Sequence, residues 1–132
     1  MRGVPHLGLT TILVHDYDEA IAFYRDALGF ELREDTDQGG GRRWVVVAPA
    51  GSVETGILLA VADTPEQRAA VGRQGGGRVA HFLHTDDFER DAARMRAAGV
   101  VFLEDPRHEP YGTVAVFEDL HGNRWDLIQP AS

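Results

Sequence analysis

Cysteine is absent from the 132 residues, which excludes disulfides, thiolate metal sites and a cysteine nucleophile. Long apolar runs are missing too. The longest are strand-sized, such as "TGILLAVA" at 55–62, far short of the roughly 20 residues that a membrane-spanning helix needs. Positive charge is in deficit, with 13 Lys and Arg against 21 Asp and Glu, a formal net charge of -8, and the arginines are scattered rather than clustered. Such a chain repels a phosphate backbone, so a nucleic-acid partner is not expected, whereas a cationic or neutral ligand is easier to accommodate. The first residues, "MRGVPHLGL", lack the basic and apolar regions of a signal peptide, and a cytoplasmic location is expected. What remains, 43% hydrophobic and 26% charged residues, suits one globular domain with a proper core.

Periodicity divides the chain into strands and two helices. "LGLTTILV" (7–14) reads as a strand, and "DEAIAFYRDALG" (18–29) sets Ile21, Tyr24 and Leu28 at helical spacing before Gly29. Strand patterns follow at 30–35, 43–49 and 55–62, separated by "DQGGG" and "PAGS". Residues 63–78 are polar and Gly-rich, without apolar periodicity, and read as a surface connection. The order then begins again, with a strand at 79–84, a helix at 86–99 carrying Phe88, Ala92 and Met95 on one face, and strands at 100–104, 112–119 and 123–130.

The second half repeats the first at an offset of 70: Asp16 matches Asp86, Glu19 matches Glu89, Ala22 matches Ala92 and Gly29 matches Gly99. Two βαβββ modules, about 1–62 and 79–132 joined by 63–78, account for this as an α+β fold in which two curved half-sheets shape a cleft for a small ligand. The stretches "VHDYDEAIAFYRDALGFEL" (14–32), "HTDDFERDAARMRAAGVVF" (84–102) and "VFEDLHGNRWDLIQP" (116–130) resemble the vicinal oxygen chelate superfamily, whose members include glyoxalase I, extradiol dioxygenases and metal-free bleomycin-binding proteins. The resemblance spans nearly the whole chain and implies that fold. It fixes no reaction, because the superfamily covers lyases, isomerases, oxygenases, transferases and simple binders.

The resemblance also implies where metal ligands would stand. Counting back from Asp16 and from Asp86, those positions are Leu9 and Ala80; the strand at 55–61 offers no His, Glu or Gln, and only Asp126, in "GNRWD" (122–126), keeps a ligand-type residue. One carboxylate does not make a metal site. The tempting run "HFLHTDD" (81–87) reads differently: Asp86 and Asp87 sit where a helix begins and suit capping, as does Asp16. His81 reads as structural or at a subunit contact. His84 has two readings, a strand-end residue bonded to neighbouring backbone or a cavity-lining imidazole. The two "QGGGR" segments (38–42 and 74–78) lack the continuation of a phosphate-binding loop.

Strand alternation puts Arg124 and Asp126 on one face of the last strand, with an ion pair between them as the plain alternative to a ligand role, and Trp125 on the other. The expected ligand-binding set is Thr11, Trp44, Phe82, His84, Tyr111, Arg124 and Asp126, with His84 and Asp126 as catalytic candidates, no metal ligands and no cofactor. Three functions follow. The first is a metal-free binder of a small organic molecule, the second a metal-dependent enzyme whose relocated ligands include His84 and Asp126, and the third a metal-free enzyme using His84 as base. The missing ligands place the binder first. A homodimer is expected, because superfamily members commonly pair modules and open sheet edges need covering.

Overall fold

The computed structural model describes residues 3–132 and divides at Arg68 into two compact units, each built on one open sheet. In the first, β1 (Leu9–Val14) leads into α1 (Tyr17–Ala22), which continues as a π-helical turn over Phe23–Ala27; β2 (Phe30–Gly39), β3 (Arg42–Pro49) and β4 (Gly56–Val61) follow. Asp16 caps α1, its carboxylate accepting the Glu19 N–H at 2.8 Å, and Gly29 ends the helical segment at φ 74°, a conformation that costs glycine little. The strand order is β1-β4-β3-β2, with β1 and β4 parallel and the other pairs antiparallel. Ile12, Val14, Val45, Val47 and Leu59 are buried on one face of this sheet, and the helical segment supplies Ile21, Tyr24 and Leu28 to the core.

The second unit has the same plan. β5 (Val79–His84), α3 (Phe88–Ala97), β6 (Val101–Phe102), β7 (Arg107–Glu109), β8 (Gly112–Glu118) and β9 (Arg124–Pro130) form a sheet in the order β5-β9-β8-β6, with β7 also paired to β8. The molecule is thus a mixed α+β structure with two open sheets of four and five strands and few helices. The expected strand at 100–104 is cut short, and β7 is a strand the apolar pattern does not announce. Together β6 and β7 occupy the place of β2, interrupted at Leu103–Pro106, where proline cannot donate to the ladder. Glu104 fills the gap: its Oε2 accepts the Val116 N–H at 2.9 Å, the bond an unbroken strand would have made.

The offset of 70 carries the bounds of β1 onto those of β5 and aligns β3 with β8, although the faces of β5 run one residue out of step: Ile12 and Val14 are buried, whereas Phe82 and His84 are exposed. It fails at the last strand: Val47 pairs with Ile57, whereas its counterpart Phe117 pairs with Trp125, an offset of 68, because the 49–56 connection is longer. Asp126 therefore corresponds to Leu58. The connection also holds a helix, α2 (Pro65–Ala70), which buries no side chain and so leaves no apolar period. It is started locally, the Gln67 N–H donating to Thr64 Oγ1 at 3.0 Å and Gln67 Oε1 accepting the Asp63 N–H at 2.9 Å.

One face of the second sheet is closed by α3, through Phe88, Ala92 and Met95, and by an aromatic row crossing the strands in register: Phe102, Phe117, Trp125 and His81. Ring centroids along it are 5.7, 5.8 and 4.7 Å apart, and Arg96 lies 4.4 Å over Phe102 at its end. The row is anchored by Asp119, 6% exposed, in the β8–β9 turn, which accepts hydrogen bonds from the His121 N–H, the Asn123 N–H, the Asn123 side-chain amide and Trp125 Nε1 at 2.9–3.2 Å. Removing this carboxylate strands several buried donors at once, so Asp119→Ala is expected to destabilise the protein by about 2–4 kcal/mol, measured by urea unfolding followed through tryptophan fluorescence.

Candidate functional site

On β9 the side chains alternate. Trp125 and Leu127, buried, face α3, while Arg124, Asp126 and Ile128 project from the opposite face. Register places Phe82 and Val116 on either side of Asp126, and His84 and Val114 on either side of Ile128. Phe82, His84 and Asp126 are therefore gathered on one face of the second sheet. Phe82 is 60% exposed, unusual for a large aromatic side chain, and His84 is exposed at the strand end. Ala80 does not follow the simple alternation, because it is the extra residue of a bulge between Val79 and His81. That bulge seats His81 beside Trp125 on the helix side, where burial lowers its imidazole below the ordinary value against the pull of Asp119.

Asp126 is half-buried. Its Oδ1 is buried with no hydrogen-bond partner, a condition it shares, among the described residues, only with His81 Nε2. The ion pair with Arg124 is not formed: that guanidinium is turned to the Gly77 carbonyl at 3.0 Å, holding the end of the connection against β9. Burial pushes the Asp126 carboxyl above its usual range; the positive Arg107 opposes this and the negative Glu104 adds to it. Arg107 is in turn held by Glu104 at 2.9 Å and Glu109 at 3.7 Å. Sequence reading missed Glu104 and Arg107, and the signal for them is "EDPRH", where Pro106 breaks an edge strand and leaves charged residues beside the ladder.

The other candidates lie elsewhere. Thr11 is exposed on β1, in register with Leu58, on the face away from the core. Trp44 lines a concavity of about 490 Å³ on the first unit, with Tyr17, Arg42, Leu58, Ala60 and Asp63. Its cations are committed, Arg42 to Asp63 at 2.9 Å and Arg43 to Asp18 and Asp35 at 2.9 and 2.6 Å, with Arg43 also 5.1 Å over Tyr17. Neither of the unpartnered buried polar atoms lies there. Tyr111 is 52% exposed in the turn before β8. Asp87 caps α3, accepting the Arg90 N–H at 3.0 Å, whereas Asp86 stays exposed and pairs with the Arg90 side chain, so the cap falls one residue later than the repeat implies.

A family model matches residues 4–127. The chain belongs to the Glyoxalase/Bleomycin resistance protein/Dioxygenase superfamily. It is similar to an uncharacterized protein of Shewanella frigidimarina (strain NCIMB 400), 53% identical over 97% of this chain and 93% of that one. Among solved structures, UcmS2 is 34% identical over 95% and 98% of the two chains with a TM-score of 0.82, and TnmS3, an antibiotic binding protein from Streptomyces sp. CB03234, is 32% identical over 99% and 100% with a TM-score of 0.80.

The superfamily's metal chemistry does not fit the residues present. The register neighbours of Asp126 on its own face, Phe82 and Val116, offer only carbon; the oxygens of Glu104 are taken by Arg107 and the Val116 N–H; and Leu9 and Ala80 have no side-chain lone pair. Among the described residues no group of three or more His, Asp or Glu side chains is placed to hold an ion. What the face offers is a desolvated carboxylate beside an exposed ring. Because the folded chain keeps the Asp126 proton to a higher pH than the unfolded chain, whose carboxyl titrates near 3.8, folding stability falls as pH rises from there through the folded value, and the ionised group is a burden above it. Asp126→Asn should therefore raise the thermal midpoint at neutral pH, with the gain shrinking as the pH is lowered to about 4; a lower midpoint at neutral pH would contradict this assignment.

Proposed function

We propose that this protein is a metal-independent binder of a small organic molecule, and that the ligand is held on the face of the second sheet bearing Phe82, His84 and Asp126. The observation that carries the reading is Asp126 itself, a carboxylate with a buried, unpartnered oxygen among carbon neighbours, which serves the fold no purpose that the hydrogen bonds reveal. Groups kept at a cost to stability are characteristic of functional sites. The likeness to TnmS3, an antibiotic binding protein, supports binding rather than turnover and suggests sequestration of a toxic natural product as the role. Arg124, on the same face of β9, and Tyr111, in the turn before β8, complete the proposed ligand-contacting set of this unit.

A second reading keeps His84 and Asp126 as an acid–base pair in a metal-free enzyme, favoured by the raised proton affinity of Asp126. The same residues carry it, and turnover of the bound compound separates the two. We also propose a cytoplasmic homodimer: β1 and β5 each have a strand partner on one side only in their sheets, and such edges are commonly covered by a second chain. Light scattering at micromolar concentration should give twice the chain mass. No helix among the described residues is long and apolar enough to cross a membrane.

Two measurements test the binding reading. Protein purified without added metal should contain no stoichiometric Zn, Fe, Mn or Ni by elemental analysis, and one tightly held ion per chain, lost in Asp126→Ala, would overturn it. Compounds from a small-molecule screen that bind the native protein should bind His84→Ala and Asp126→Ala about tenfold or more weakly, while circular dichroism shows both variants folded.

A further inference from the structure

We propose that the group this site selects is a primary ammonium carried on an aromatic body, with the Asp126 carboxylate as its counter-ion and the exposed Phe82 ring as its platform. This rests on the binding role argued above and adds the chemistry of the ligand.

Charge decides the sign. The guanidinium whose charge reaches Asp126, Arg107, is already engaged by Glu104 at 2.9 Å and by Glu109 at 3.7 Å, and Glu104 also acts on Asp126. Three carboxylates against one arginine leave a local excess of negative charge, on a chain whose formal net charge is -8. Arg124, two residues away on the same face, is the cation that could have neutralised Asp126, and it donates to the Gly77 carbonyl instead. His84 stands one row along, beside Ile128. An anionic ligand meets repulsion here, a neutral donor recovers part of the lost solvation of Asp126, and a cation recovers most of it.

Geometry decides the kind of cation. A guanidinium reaches its full two-bond fork only where both carboxylate oxygens are open, but Oδ1 of Asp126 is buried, while the residue as a whole remains partly exposed. A compact ammonium needs only one oxygen. Phe82 is the register neighbour of Asp126 and leaves 60% of its surface to solvent, so a ligand that seats its charge on the carboxylate lays its adjoining ring against that side chain. Val116 and Ile128 extend the apolar floor.

The test uses three small probes of one shape: benzylammonium, benzyl alcohol and benzoate. Each is titrated into the full-length, nitrogen-15-labelled protein at about pH 7.5, where the amine is charged, and the backbone amide shifts are followed. Benzylammonium should saturate in the millimolar range and move the amides of Phe82, Leu83, His84, Asp126 and Leu127. Benzyl alcohol should bind the same face about tenfold or more weakly, and benzoate weaker still. In Asp126→Asn the amine should lose its advantage over the alcohol, while Phe82→Ala should weaken both probes. The ammonium assignment is overturned if the alcohol or benzoate binds this face as well as the amine, or if Asp126→Asn keeps the preference; the site would then stand and its ligand class would be wrong. If no probe moves these amides, the binding site itself is misplaced and the assignment falls with it.

Discussion

The buried Asp119 carboxylate governs the parity of β9. By gathering the His121 and Asn123 N–H groups, the Asn123 amide and the Trp125 indole N–H, it fixes how the chain re-enters the sheet after the β8–β9 turn. A slip of one residue would carry Trp125 off the helix side and put Asp126 into the core. The "GN" of Gly122 and Asn123 is thus structural: Gly122 takes φ 97° in the turn and Asn123 is 3% exposed within the network. Its functional consequence is the position of the next carboxylate, Asp126, on the far face.

That far face is assembled from what the helix side leaves over. The row Phe102, Phe117, Trp125 and His81 uses the aromatic residues of four strands to close against α3, and the alternate positions then expose Phe82 and His84 on β5 and Asp126 and Ile128 on β9. The break between β6 and β7 adds the electrostatic setting. Glu104 replaces a missing strand rung and is occupied twice, by the Val116 N–H and by Arg107, which holds its own carboxyl below the usual range. Arg107, the cation whose charge reaches Asp126, is consequently shared with competitors, Arg124 is turned to the Gly77 carbonyl, and the carboxylate is left to find a counter-charge from outside.

Much of the fold was legible because the two halves repeat the same apolar spacing. The strands at 9–14 and 79–84, the helices with Ile21, Tyr24 and Leu28 or Phe88, Ala92 and Met95, and the helix-ending glycines follow from periodicity and turn chemistry. α2 was not legible, because a helix that buries nothing leaves no pattern, nor was β7, three polar residues on an edge. Within the site, alternation sufficed to place Arg124 and Asp126 on one side and Trp125 on the other. It could not show that Arg124 turns to Gly77, that a bulge at Ala80 brings His81 against Trp125, or that Glu104 and Arg107 stand near Asp126. Those depend on backbone irregularities and on long side chains choosing among partners, which no spacing encodes.

Family membership narrows the fold more than the chemistry, so the function rests on the carboxylate and its carbon neighbours. The most direct measurement is a crystal structure of metal-stripped protein bound to any organic compound recovered from a screen. Density for the compound against the Phe82 ring and the Asp126 carboxylate, with no ion between them, is the predicted result. A compound reaching Asp126 through a coordinated metal, or seated wholly on the Trp44 side of the first unit, would contradict the account.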